Sequence, residues 1–154
     1  MSHISDRLEA LGIVVPQQPA QPAGVYVPAA VSRGAVYTAG QLPFVNGTLP
    51  MTGKVGAEVG EQDAHTLART AAINALAAVE EAIGSLDRVT RVVKVVGFVA
   101  SDPAFFGQPA VLNGASQLLG EVFGDAGVHA RSAVGVAVLP LNSPIEVELI
   151  VEFE

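Results

Sequence analysis

Residues 129–154 read HARSAVGVAVLPLNSPIEVELIVEFE. The end of this stretch alternates: Ile145, Val147, Leu149, Val151 and Phe153 fall on one side, and Glu146, Glu148, Ile150, Glu152 and Glu154 on the other. Side chains of a strand point in turn to its two faces, so this pattern predicts a strand with the first set in a core and the second facing solvent or an interface. Ala133 to Leu139 reads as a second strand, joined to the last by a Pro-bracketed turn. Arg131 opens the earlier run and Glu146 the later one. A guanidinium fork near a carboxylate can hold an anionic substrate and move a proton. Each residue also has an ordinary reading, Arg131 as a charged strand cap and Glu146 as one of several glutamates on a solvated face. If the two runs formed a simple hairpin, Leu139 would face Ile145 and Arg131 would lie near Phe153. That puts Arg131 on the order of 20 Å from Glu146, too far for one small-molecule site. Either the two residues act separately, or Glu146 serves a site that another subunit completes.

Working upstream, Ala64, Leu67, Ala68, Ala71, Ala72, Ala75, Leu76, Val79 and Ile83 repeat at the three-four spacing of one buried helix face, with Gly84 as a stop. Val89 to Val99 is apolar on both faces and predicts an interior strand, with Lys94 read as a strand-end or snorkelling residue. A second helix is expected from Pro109 to Phe123, ended by Gly124. Val25 to Val31 and Ala35 to Ala39 predict two strands around the turn Ser32-Arg33-Gly34, and Asn46-Gly47 predicts a tight hairpin. Pro50 to Gly60 reads as a Gly-rich loop. Ile4 to Leu11 suits a short amphipathic helix, and Val14 to Ala23, with Pro16, Pro19 and Pro22, an extended surface arm. The order of strands, helix, strand, helix and two strands implies an α+β fold with two helices packed on one face of a sheet.

The 154 residues suit one domain, and the absence of Cys excludes disulfides, thiolate metal sites and a Cys nucleophile. Half of the residues are hydrophobic and only 15% are charged, so exposed apolar surface and a homo-oligomer are expected. A net charge of −7, without a basic cluster, argues against a nucleic-acid partner. No signal-peptide core and no apolar run of roughly 18 residues is present, so a soluble cytoplasmic protein is expected and a membrane partner is not. His3, His65 and His129 lack metal-ligand spacing, and no nucleophile elbow, P-loop or dinucleotide fingerprint occurs. Acid–base or electrostatic chemistry remains.

Taken together, HARSAVGVAVLP followed by IEVELI resembles the C-terminal signature of the Rid family, the YjgF-like imine deaminases. TAGQLP at 38–43 resembles that family's SGQIP-type turn, and Gly24-Val25-Tyr26-Val27 its GPY segment. Phe98-Val99, Phe105 and Asn113 resemble its strand-loop-helix stretch, so the likeness spans roughly residues 24 to 152. The resemblance implies a chorismate-mutase-like mixed sheet, with an N-terminal arm over 1–23 before a single domain over 24–154. It implies a homotrimer with clefts between subunits and a last strand that lies inside the sheet. The implied activity is cofactor-free hydrolysis of 2-imino and enamine acids to 2-keto acids and ammonia. By the same likeness Arg131 grips the substrate carboxylate and Glu146 holds the attacking water. Gly40 lets the backbone approach the ligand, Tyr26 walls the cleft, and Asn113 offers an amide. Ala133 stands in the cleft where several members carry Cys, Ala39 where many carry Ser, and Val25 replaces the Pro of GPY. These departures leave room for a non-catalytic module that binds or senses small carboxylates. The endoribonuclease label often given to the family is opposed by the acidic charge.

Overall fold

The valine-rich stretch Val89–Ala100 forms the longest strand and carries partners on both edges. The computed structural model describes residues 3–154. In chain order the elements are α1 (Ile4–Ala10), β1 (Ala29–Ser32), β2 (Ala35–Thr38), α2 (Glu61–Ile83), β3 (Val89–Ala100), α3 (Gln108–Phe123), β4 (Ala130–Val136) and β5 (Ile145–Phe153). The five strands form one sheet in the order β1-β2-β5-β3-β4, with β3 and β4 parallel and every other neighbouring pair antiparallel. The α+β expectation therefore holds. No helix among the described residues is long and apolar enough to cross a membrane.

One face of the sheet is covered. Val92, Val95 and Val99 of β3 and Val147, Leu149 and Val151 of β5 meet the apolar faces of α2 and α3 in one core. The alanine-rich face of α2 lets the two helices approach closely. At Gly114 of α3 a methyl group would overlap the His65 carbonyl of α2, and at Gly97 of β3 it would overlap Leu112. Ile4 and Leu8 of α1 pack partly against this core, and Asp87 accepts a hydrogen bond from the Ile4 amide at 2.6 Å. The arm that follows is extended as expected, with Ile13 and Val15 packed inward and Pro19 buried.

The structure corrects several strand boundaries. β5 does not form a hairpin with β4, because β3 lies between them, as the family resemblance implied. β1 begins at Ala29 rather than Val25, since Pro28 lacks the N–H a ladder needs and Val25 to Val27 stand exposed before it. β4 runs from Ala130 to Val136, earlier than expected, because its partner β3 ends at Ala100, opposite Val136. Lys94 is not at a strand end. It sits mid-strand beside a register shift, half-buried on the uncovered face. The turns were legible: Arg33 and Gly34 (φ 49° and 76°) and Asn46 and Gly47 (φ 51° and 78°) take the positive-φ pairs of tight hairpins.

These close approaches give a matched pair of substitutions. Gly114→Ala should lower unfolding free energy by about 1–3 kcal/mol, since helix backbone must move to admit the methyl group. Gly120→Ala, in the same helix with open space around it, should raise it by about 1 kcal/mol. Urea unfolding of the two variants beside the parent checks both signs.

Candidate active site

Glu146 lies near the start of β5 on the face away from the helices, opposite Phe98 of β3. Reciprocal backbone hydrogen bonds between Gln41 and Val147, at 2.8 and 3.0 Å, pin the segment after β2 beside it. A side chain at Gly40 would overlap the Glu146 carboxyl group, so glycine leaves the carboxyl its present position. Gly40, Glu146 and Tyr26 line one cavity of about 320 Å³, closed on another side by the arm residues Gln21 and Ala23. The Tyr26 hydroxyl accepts from the Ala23 amide at 3.3 Å, tying the arm to the cavity wall. Burial raises the pKa of Glu146 above 4.5, and the like charge of Glu148 raises it further. Burial raises Glu148 as well. A carboxyl group shifted this way is a better proton acceptor once ionised.

Arg131 sits on the other face of the sheet, at the second position of β4 beside Val95. Its Nη1 donates to Asn113 Oδ1 at 2.9 Å and to Ser116 Oγ at 3.1 Å, and its Nη2 donates to the Pro109 carbonyl at 3.3 Å. Asn113 and Ser116 are three residues apart on α3 and so share a helix face. A guanidinium has five N–H donors. Subtracting these three bonds leaves two, on Nε and Nη2, which together form a side-on fork for a carboxylate. Neither ion pair among the described residues, His3–Asp87 and Arg69–Glu121, involves Arg131. Ala133 follows two positions later on the same face, opposite Gly97, and packs partly on the core.

The predicted site residues therefore fall into two groups. Tyr26, Gly40 and Glu146 share a cavity; Arg131 and Asn113 are bonded to each other, with Ala133 next along the strand. One chain does not bring the groups together, because β3 separates their strands and they occupy opposite sheet faces. A larger cavity of about 750 Å³, between the arm, the Asn46-Gly47 hairpin and α2, has no charged side chain in its lining. It holds none of these groups, so the chemistry points to the smaller one.

A family model described as "YjgF/chorismate_mutase-like, putative endoribonuclease" matches residues 5–153. The chain belongs to this family. Its mixed five-stranded sheet with three α-helices is the YjgF/chorismate-mutase-like fold. Protein TCP17 of Trypanosoma cruzi is 42% identical over 150 residues, covering 97% of this chain and 93% of that protein. The crystal structure of Atu1372, a protein of unknown function from Agrobacterium tumefaciens, is 43% identical with a TM-score of 0.90, over 98% of this chain and 92% of that one. E. coli TdcF with bound serine is 26% identical with a TM-score of 0.66, over 90% of this chain and 96% of that one. Within this YjgF-like fold, two residues around Arg131 escaped the sequence reading. Ser116 bonds Arg131, and His129 bonds Ser116 at 2.9 Å. The i, i+3 spacing of Asn113 and Ser116 was the available signal for the first. His129 was considered only as a metal ligand.

The raised Glu146 pKa sets the direction of a pH effect. Just above the unfolded-chain value the native chain keeps a proton that the unfolded chain releases, so stability falls as pH rises through the window up to the folded value. Glu146→Gln should be more stable than the parent above that window and lose the advantage below it, by urea unfolding at stepped pH. In a carboxyl NMR titration, Glu148→Gln should move the Glu146 midpoint down.

Proposed function

We propose that this chain is a hydrolytic deaminase of 2-imino and enamine acids, giving 2-keto acids and ammonia in a cleft between the subunits of a cytoplasmic homotrimer. The observation that carries the reading is the state of Arg131. Among the described residues the guanidinium is held by neutral partners, has no acidic partner, and keeps a side-on fork free. A half-buried cation so arranged is matched to one external carboxylate, and Lys would not reproduce the planar fork. Bound serine in the relative TdcF is a carboxylate-bearing ligand and supports the same chemistry.

In this reading the substrate carboxylate docks on Nε and Nη2 of Arg131 from one subunit, and its C=N carbon faces Glu146 of the next. Glu146 accepts a proton from water as the oxygen adds to that carbon. Glu146 returns that proton to nitrogen, giving a neutral carbinolamine. It then takes the carbinolamine hydroxyl proton and passes it to the amine as the C–N bond breaks, so that ammonia leaves, the 2-keto acid forms and Glu146 is again ionised. Addition and elimination of water's elements involve no redox step. Assembly would also cover the uncovered sheet face, where Tyr37 and Val134 are 47% and 44% exposed beside half-buried Val96, Phe98 and Ile150. An apolar band of this kind is suited to burial against a second copy.

Ammonia release from a freshly generated 2-imino acid tests the activity. Arg131→Ala should lower kcat/KM by about 100-fold, the scale of a lost bidentate charged contact, and Arg131→Lys should not restore it. Equal rates in parent and Arg131→Ala would defeat the assignment. Mixing denatured Arg131→Ala and Glu146→Gln chains and refolding them together should recover activity, because some clefts then carry both residues. A site within one chain would stay inactive in every mixture.

A further inference from the structure

We infer that His129 is a positioning residue: acting through Ser116, it holds the guanidinium of Arg131 so that its carboxylate fork stays open. The inference rests on the role proposed above for Arg131 and adds a residue that touches no substrate.

The hydrogen bonds have a determined direction. His129 Nδ1 lies 2.6 Å from the Gly127 carbonyl, which can only accept, so Nδ1 carries the hydrogen. In the neutral ring Nε2 is then an acceptor, and it lies 2.9 Å from Ser116 Oγ. The Ser116 hydroxyl donates there, and its oxygen lone pairs accept from Arg131 Nη1 at 3.1 Å. The chain runs Arg131 to Ser116 to His129 to Gly127, each link donating to the next. A Ser or Thr within a helix commonly bonds the carbonyl four residues back, as Thr66 and Thr70 do in α2. Ser116 is instead engaged by His129 and Arg131.

The local fold supplies the anchor. A 3₁₀ turn over Gly124–Gly127 follows α3, and Gly127 is buried against the helix it has just left. A side chain at Gly127 would overlap the Leu119 carbonyl, so glycine keeps the turn seated on α3 and its own carbonyl aimed at His129. His129 then precedes β4 directly, two residues before Arg131. With both Nη1 hydrogens engaged, by Asn113 and Ser116, the guanidinium plane is set and Nε with the second Nη2 hydrogen faces the ligand. Without an acceptor at His129, the Ser116 hydroxyl is free to bond the carbonyl four residues back, as Thr66 and Thr70 do, and its oxygen is no longer held toward Nη1.

Three single variants, one double variant and two ligands test this. The ligands are 2-oxobutanoate, a carboxylate product analogue, and butanone, its neutral counterpart. His129→Leu should weaken 2-oxobutanoate binding and raise KM by about tenfold with kcat within about twofold, and leave butanone unchanged. His129→Gln, whose amide oxygen can accept from Ser116, should recover most of the loss. Ser116→Ala should show a similar loss, and His129→Leu added to it should deepen it little, as expected for residues acting in series. Unchanged 2-oxobutanoate affinity in His129→Leu overturns the inference, as does an equal loss for butanone. If the parent itself binds no carboxylate, the deaminase reading fails, and side-chain ¹⁵N NMR decides the positioning role. Slow guanidinium rotation at Arg131 in the parent that becomes fast in His129→Leu supports it, and identical rotation overturns it. Should His129→Leu not fold, His129→Phe, nearer in size to the imidazole and likewise without an acceptor, answers through the same readouts.

Discussion

β3 is paired along both edges, and its two registers decide which face each charged group of the sheet occupies. Arg131 stands opposite Val95, a core residue, and Glu146 stands opposite Phe98, on the uncovered side. The assignments are tightly held. A slip of β5 by one position would drive Glu146, Glu148 and Glu152 under the helices and turn Val147, Leu149 and Val151 out to solvent. Burying several carboxylates without partners is far costlier than any local gain could offset. The alternation that builds the core therefore also keeps Glu146 on the open face, while the parallel pairing with β4 sends Arg131 toward α3.

In the proposed reading, the consequence is two half-sites, each prepared for a different task. Around Arg131 every partner among the described residues is neutral: an amide oxygen, a hydroxyl and a backbone carbonyl. Such partners fix orientation without neutralising the charge, which a carboxylate partner would do. Around Glu146 the surroundings raise its pKa, through burial and through Glu148, while Gly40 leaves the carboxyl room. A held cation and a destabilised carboxylate, on opposite faces of one sheet, are of little use to each other within a chain. In the homotrimer proposed above they would be complementary between chains, since β4 is the border strand of the sheet and Glu146 opens onto its uncovered face.

Much of this fold could be read from residue order alone, where one physical requirement dominated. β5 was legible because alternate burial leaves a period-two record, and α2 because its buried face repeats at the helical spacing. The two tight turns were legible because few residues tolerate positive φ at both centres. Strand ends were less so. Where β4 stops depends on where β3 stops, and that is a property of the pair. The site divided in the same way. Arg131 and Glu146 stood out as charges in a charge-poor chain, but the roles of Gly40, Tyr26 and Asn113 came from family likeness. Ser116 and His129 lie 13 residues apart and meet only because the turn after α3 folds back on it. No periodicity in the sequence encodes that contact.

The charge distribution bears on which ligands such a site can take. On the uncovered face, Arg91 stands opposite Glu152 and Lys94 opposite Ile150, toward the far end of β3 from the Phe98–Glu146 pair. Among the described residues no cation lines the cavity at Glu146, and its carboxyl group lies beside the second acid Glu148. A polyanion crossing this surface would need a cation for each phosphate, and the chain carries a net charge of −7. A small acid needs only one. A single arginine with a two-donor fork answers a single carboxylate, and the rest of such a ligand, being neutral, meets no penalty beside Glu146. Electrostatics thus supports the proposed small monoanionic substrate over a nucleic acid, on the same residues whose placement the β3 registers fix.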